Sequence, residues 1–187
     1  HFKIALKDDW GTSSNILAQL EQARQQGINI TADCYPYEYW ASTLRVLFPK
    51  TDYTNLESAK FAVNETVDAS ASYVLPFAPN KLYEGKTISE IAAMRNETPA
   101  QTLISLIAMV DDYEKKNPSD HNAEGIIGKS MIDEDIMKLL SWANTNFSTD
   151  GNDGGGHPRS FASFTRVLAY YVRNKKIISL ENAIYKM

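Results

Sequence analysis

The sequence predicts an α/β fold with a parallel sheet, and two stretches carry that prediction. Over residues 13–26, Ile16, Leu17, Leu20 and Ala23 share one helical face, and Gly27 supplies a left-handed stop. Residues 28–34 then follow as a short β-branched strand, the helix-to-strand rhythm of a parallel sheet. Around residues 147–151 a second strand end runs into a glycine-rich loop and a helix over residues 161–172. The composition agrees: of 187 residues, 43% are hydrophobic and 22% charged, the balance of a globular chain rather than a disordered one.

The elements between follow in order. Tyr35-Pro36-Tyr37 ends the first strand, because proline cannot continue a central ladder. Residues 38–85 read as irregular, with Pro49, Pro76 and Pro79 scattered among aromatics; a stretch of that length is expected to be a functional excursion. Thr87 and Glu90 form a capping box, and Thr98, Pro99 and Gln101 a second one ahead of the stripe Leu103, Leu106, Ile107 and Val110. Residues 111–122 read as a polar connection. Ser130 and Asp133 are expected to cap a helix through Ile136, Leu139 and Leu140, and Ser179 another through Leu180, Ala183 and Ile184. There is no internal repeat and no interdomain linker.

Several classes are excluded at once. Nineteen basic against 23 acidic residues give −4, the wrong balance for a nucleic-acid binder held by phosphates. No apolar run approaches the ~18 residues of a membrane helix. One cysteine makes no internal disulfide, and Cys34, at the end of a buried strand, reads as a small core hydrophobe. Gly125-Ile-Ile-Gly128-Lys-Ser130 has the tail of a phosphate-binding loop but Ala123 where its first glycine belongs, and is set aside. No glycine-flanked serine makes a nucleophile elbow. The acceptor triplets at Asn64, Asn96 and Asn146 are too short to place the chain, and the basic cluster at residues 173–176 reads as a solvated helix end.

The richest segment is Asp150-Gly-Asn-Asp153-Gly-Gly-Gly-His157-Pro-Arg159. Read plainly it is a glycine-rich loop. Read chemically it is a carboxylate at a strand's C-terminal end, followed by an imidazole and a guanidinium, where α/β barrels gather their reactive groups. Asp33, at the end of the first strand beside two tyrosines, is a weaker version of the same pattern.

These pieces occur together in one family. His1-Phe-Lys3, then Thr31-Ala-Asp-Cys-Tyr-Pro-Tyr37 with Ala41-Ser-Thr43, resembles the start of the C-terminal part of the N-acyl-D-amino-acid deacylases (D-aminoacylases), members of the metal-dependent amidohydrolase superfamily. Glu84-Gly-Lys-Thr-Ile-Ser-Glu-Ile-Ala92, Ser148-Thr-Asp-Gly151, His157-Pro-Arg159, Phe164-Thr-Arg-Val-Leu168, Leu180-Glu-Asn-Ala-Ile184 and Lys186-Met187 continue the similarity in order. The resemblance implies part of a (β/α)8 TIM barrel with residues 1–187 as a partial domain. His1 stands just after the sixth strand, residues 28–33 form the seventh and residues 147–150 the eighth. On this resemblance the first five strands, most of the sixth and the terminal β-subdomain are expected to lie outside residues 1–187.

The resemblance also implies roles. His1 resembles a zinc ligand, and Asp150 the carboxylate that takes a proton from the attacking water and passes it to the leaving amine. Lys3, Tyr35, Ser42 and Arg159 resemble groups lining the pocket for a small-molecule N-acyl amino acid, with Arg159 placed to grip its α-carboxylate. A catalytic zinc usually takes three protein ligands and an open position. Here His1 and, more loosely, Asp150 are the matched donors, while His121 and His157 match none. The parent protein is therefore expected to be a zinc hydrolase, with the isolated chain inactive and holding no tight zinc.

The chain begins at His1 rather than Met and ends inside a helical segment, which reads as a fragment, a split subunit or a free-standing module. Unpaired barrel edges would invite self-association or pairing with the missing barrel half. A cytoplasmic location, with no nucleic-acid or membrane partner, completes the reading. A non-catalytic binding or interaction module and a dihydroorotase-like amidohydrolase are the alternatives.

Overall fold

The computed structural model describes residues 1–151 and 157–187; the glycine-rich run 152–156, Asp153 included, lies outside them. In chain order the elements are α1 (Ser13–Gln25), β1 (Ala32–Cys34), β2 (Tyr39–Ser42), α2 (Leu56–Phe61), β3 (Tyr73–Phe77), α3 (Ile88–Arg95), α4 (Pro99–Lys116), β4 (Glu124–Lys129), α5 (Asp133–Ser141), β5 (Thr145–Phe147), α6 (Arg159–Arg166) and α7 (Leu180–Tyr185). Two π-helical segments, Ala62–Thr66 and Val167–Asn174, extend α2 and α6. The chain divides into two units. One comprises His1–Ala5, Asp9–Glu38 and Met131–Met187, and the other Leu6–Asp8 and Tyr39–Ser130. No helix among the described residues is long and apolar enough to cross a membrane.

The first unit is α/β with a parallel pair, as expected. β1 lies beside β5 with Ala32 opposite Thr145, Asp33 opposite Asn146 and Cys34 opposite Phe147. The ladder continues where the Ser148 amide donates to the Cys34 carbonyl at 3.1 Å, and Phe2 N–H reaches the Asp33 carbonyl at 2.7 Å. Only Ala32–Cys34 of the expected 28–34 strand is a strand. The partner strand is three residues long, so the residues before Ala32 have no ladder to join, and Ile28 is exposed. Helix α1 ends as predicted, with Gly27 at φ +88°.

Helix α5 departs from the expected cap. Ser130 and Asp133 do not cap it, and Ile132 stands at the N-cap without a side-chain acceptor. Asp133 instead accepts from the Tyr171 and Tyr170 hydroxyls at 2.8 and 3.1 Å. Asp135 turns away to serve the start of α1, taking the Gly11 amide at 2.7 Å and the Ser13 amide at 3.3 Å. At the other end of α5, buried Lys186 donates to the Leu140 carbonyl at 2.8 Å and to the Trp142 carbonyl. The main chain of Lys186 accepts from the Phe147 amide at 2.7 Å, so one residue ties α5, β5 and the chain end together.

The second unit holds an antiparallel sheet in the order β2-β4-β3, built largely from the stretch read as irregular. Its strands were hidden because β2 and β3 pair with β4, which is remote in sequence. Pro76 sits at a register shift in the edge strand β3, where a missing N–H is tolerated. Gly125 and Gly128 belong to the central strand β4. A Cβ on Gly128 would lie 2.9 Å from both the Trp40 ring and Val67, so close packing, not phosphate binding, requires glycine there. Both predicted capping boxes are present, on α3 and α4. Helix α4 runs through Lys116, past the expected polar connection from residue 111. Arg45 explains the extension by pairing with Asp111 at 2.6 Å and Glu114 at 2.9 Å on that face. Leu44, Phe77, Ile88, Ile91, Leu103, Leu106 and Ile126 form the unit's core.

Candidate functional site

The C-terminal ends of β1 and β5 bring chemistry-bearing side chains together in the first unit. Strand β1 delivers Asp33 and, one residue past its end, Tyr35. Beyond β5 the chain presents Asp150, whose φ of +47° puts a non-glycine residue in the left-handed region. Asp and Asn tolerate that conformation better than most residues, and such outliers cluster at sites where position matters. The segment before α1 supplies His1 and Lys3, and the start of α6 supplies Arg159.

Asp150 is the centre of this group. Its Oδ2 lies 2.9 Å from Lys3 Nζ, 3.1 Å from Arg159 Nη1 and 3.8 Å from His1 Nε2. His1 Nδ1 meets Asp33 Oδ1 at 2.5 Å. A proton on Nδ1 shared with that carboxylate leaves Nε2 with its lone pair directed to the Asp150 side. Tyr35 forms the floor: its ring lies 5.1 Å from the His1 ring and from Lys3 Nζ, and 5.2 Å from the Arg159 guanidinium carbon.

Two buried hydroxyls here, Tyr35 Oη and Ser148 Oγ, have no hydrogen-bond partner among the described residues. Burial pushes the Tyr35 phenol above its ordinary range, against the opposing pull of the Arg159 cation. Arg159 Nη1 likewise makes no hydrogen bond among the described residues, so its proximity to Asp150 is an ion pair without a closed fork. A cationic fork beside an unsatisfied hydroxyl suits an anionic ligand with polar groups.

As metal donors, His1 Nε2 and Asp150 Oδ2 are of the type zinc takes and face one another. Asp33 is spent on Nδ1, and the described residues contain no cluster of three His, Cys, Asp or Glu able to hold an ion. The pair fits as part of a site that other ligands complete. Cys34 is no such ligand here: it is buried, and desolvation, followed by the Asp33 charge, pushes its thiol up to about 12. A thiol so disfavoured as thiolate is a core group.

Of the residues singled out from the sequence, His1, Lys3, Tyr35, Asp150 and Arg159 converge. Ser42 lies at the end of β2 in the other unit, exposed and opposite Ile126. His121 is exposed in that unit as well. Asp33 proves more central than its sequence context suggested, because its partner His1 is 32 residues away. His157, the member of the His-Pro-Arg triplet with no matched role, packs beneath Tyr35 and Tyr37.

No protein-family model matches the chain. Among curated relatives, it is 26% identical over 190 residues to the N-acyl-D-glutamate deacylase of Alcaligenes xylosoxydans xylosoxydans, covering 100% of this chain and 32% of that protein. Among solved structures, it superposes with a TM-score of 0.72 and 26% identity on an N-acyl-D-glutamate deacylase from Bordetella bronchiseptica, described as complexed with zinc and a phosphonate mimic of the tetrahedral intermediate. A D-aminoacylase described as defining a novel subset of amidohydrolases gives 0.72 and 25%. Both structural matches cover 100% of this chain and 33% of the other. The chain thus spans about a third of the length of the relatives it matches. The similarity to these deacylases runs along the whole length of the chain, and its α/β architecture superposes on about a third of theirs.

Proposed function

We propose that the chain is the C-terminal part of a zinc-dependent hydrolase that cleaves the amide of N-acyl-D-amino acids. In this reading residues 1–187 are a partial (β/α)8 barrel, with β1 as its seventh strand and β5 as its eighth. The observation that supports it most is the convergence of His1, Lys3 and Arg159 on one oxygen of Asp150 at the C-terminal ends of paired parallel strands.

His1, with Asp150 as a looser donor and ligands from the rest of the longer protein, would hold zinc, which when bound would supply an acidified water and polarise the amide carbonyl. Asp33 holds the His1 ring in the tautomer that frees Nε2. Lys3 and Arg159 engage Asp150 through Oδ2, and Oδ1 takes the proton of the attacking water and returns it to the leaving amide nitrogen. The guanidinium of Arg159 receives the substrate's α-carboxylate, since its planar fork matches two carboxylate oxygens. Tyr35 shelves the acyl-amino-acid and offers its unsatisfied hydroxyl. For Ser42 the support is the resemblance alone.

Replacing Asp150 by Ala in the longer protein tests the assignment. Turnover of N-acetyl-D-glutamate should fall by at least about a hundredfold, the contribution of a positioned acid–base group, with zinc still retained by His1 and the ligands of the rest of the longer protein. Retained turnover removes Asp150 from the mechanism. The 187-residue chain alone, with two of the usual three zinc donors, should show negligible turnover, and stoichiometric zinc bound by it alone would contradict this part of the reading.

A further inference from the structure

We propose that His157 is a positioning residue for Arg159: its imidazole acts as the helix cap that fixes where the guanidinium points. The inference rests on the deacylase reading, in which Arg159 receives the substrate carboxylate.

Arg159 is the first residue of α6, so its amide belongs to the N–H groups that the helix itself cannot satisfy. Pro158 occupies the N-cap and has no side-chain acceptor. His157 fills the gap, and its Nδ1 accepts the Arg159 amide at 3.0 Å. The bond spans two residues, the pattern usually made by Asn or Asp side chains in turns. An Nδ1 that accepts is unprotonated, so the neutral ring carries its hydrogen on Nε2.

The ring is held from both sides. It is 2% exposed, with the Tyr37 ring edge-on at 5.1 Å and the Tyr35 ring at 6.4 Å. Tyr37 is braced in turn by Arg166, whose guanidinium carbon sits 5.0 Å from the Tyr37 ring centroid and whose Nε donates to the Pro36 carbonyl at 2.6 Å. His157 therefore touches both features that aim Arg159: the amide from which its side chain departs, and the Tyr35 ring across which it lies. Moving the ring shifts the guanidinium without removing any charge from the pocket.

Two variants of the zinc-loaded longer protein separate the acceptor from the ring. H157F keeps an aromatic ring and loses the acceptor; H157N loses the ring and keeps an oxygen able to accept the same amide. With N-acetyl-D-glutamate as substrate, H157F should raise KM about tenfold while kcat stays within about threefold, and H157N should bring KM back to within about threefold of wild type. Hydrogen exchange gives a readout independent of turnover. The Arg159 amide should be protected in wild type and H157N and lose at least about tenfold of that protection in H157F.

A wild-type Arg159 amide that exchanges freely overturns the inference whatever the variants do. So does an H157F enzyme with wild-type KM, or an H157N enzyme that tracks H157F. A wild-type enzyme with no turnover overturns the deacylase reading and this role with it. A working wild type whose H157F variant keeps its KM overturns this role alone.

Discussion

Replacing Lys186 by Met tests how β5, the strand that leads to Asp150, is held. Lys186 is 6% exposed, and its ammonium donates to the carbonyls of Leu140 and Trp142 at the end of α5. Met fills similar space but donates nothing. The Trp142 carbonyl still receives the Thr145 amide at 3.1 Å, whereas the Leu140 carbonyl loses the Lys186 bond. One buried acceptor left unsatisfied costs about 1–3 kcal/mol. Removing a buried ammonium returns part of that cost, so a net loss of about 1–2 kcal/mol is expected. Urea unfolding followed by tryptophan fluorescence measures it.

The pH dependence supplies a second, signed readout of the same change. Burial lowers the Lys186 pKa below its ordinary 10.5, so between the folded value and 10.5 the unfolded chain binds more protons than the folded one. Stability contributed by this group is therefore present above 10.5 and lost as pH falls through the depressed value. The Met variant should lack that slope. Unchanged stability with an unchanged slope would refute the view that Lys186 is a buried cap.

Other outcomes follow from the same geometry. Arg159→Lys keeps the charge but loses the fork, and should raise KM in the longer protein by about 10- to 100-fold, the worth of a charge-assisted hydrogen bond, with a smaller effect on kcat. Glu124 is buried, accepts the Leu44 amide at 2.6 Å, and has its pKa raised by desolvation. Its contribution to stability is thus present below the unfolded value near 4.5 and lost as pH rises through the raised one. Glu124→Gln keeps an acceptor for Leu44 and should flatten that decline, leaving the chain at least as stable as wild type at pH 7 in thermal melts. Gly128→Ala forces a methyl to within 2.9 Å of Trp40 and Val67, and should cost about 1–3 kcal/mol by urea unfolding.

Legibility in the sequence tracked the range of the interactions. The capping boxes at Thr87–Glu90 and Thr98–Gln101 and the glycine stop at Gly27 were readable because each is completed within four residues. The antiparallel sheet was not, since Tyr39 and Tyr73 find Lys129 and Ile127 across more than 50 residues. The cap expected of Asp133 failed because two tyrosine hydroxyls nearly 40 residues downstream claim its carboxylate. In the candidate site, the residue types at Asp150 and Arg159 were legible as chemistry at a strand end and a helix start. Their grouping with His1 and Lys3 as a site came from resemblance, and the four side chains lie together in the folded chain. The parts played by Asp33 and His157 were not legible, because each depends on a ring orientation that only the folded chain sets.

The most direct test of the central claim is the initial rate of amine release from N-acetyl-D-glutamate by the zinc-loaded longer protein that carries this chain. The expected result is turnover that is abolished when Asp150 becomes Ala. A zinc-loaded wild-type protein that releases no amine from N-acyl-D-amino acids would contradict it.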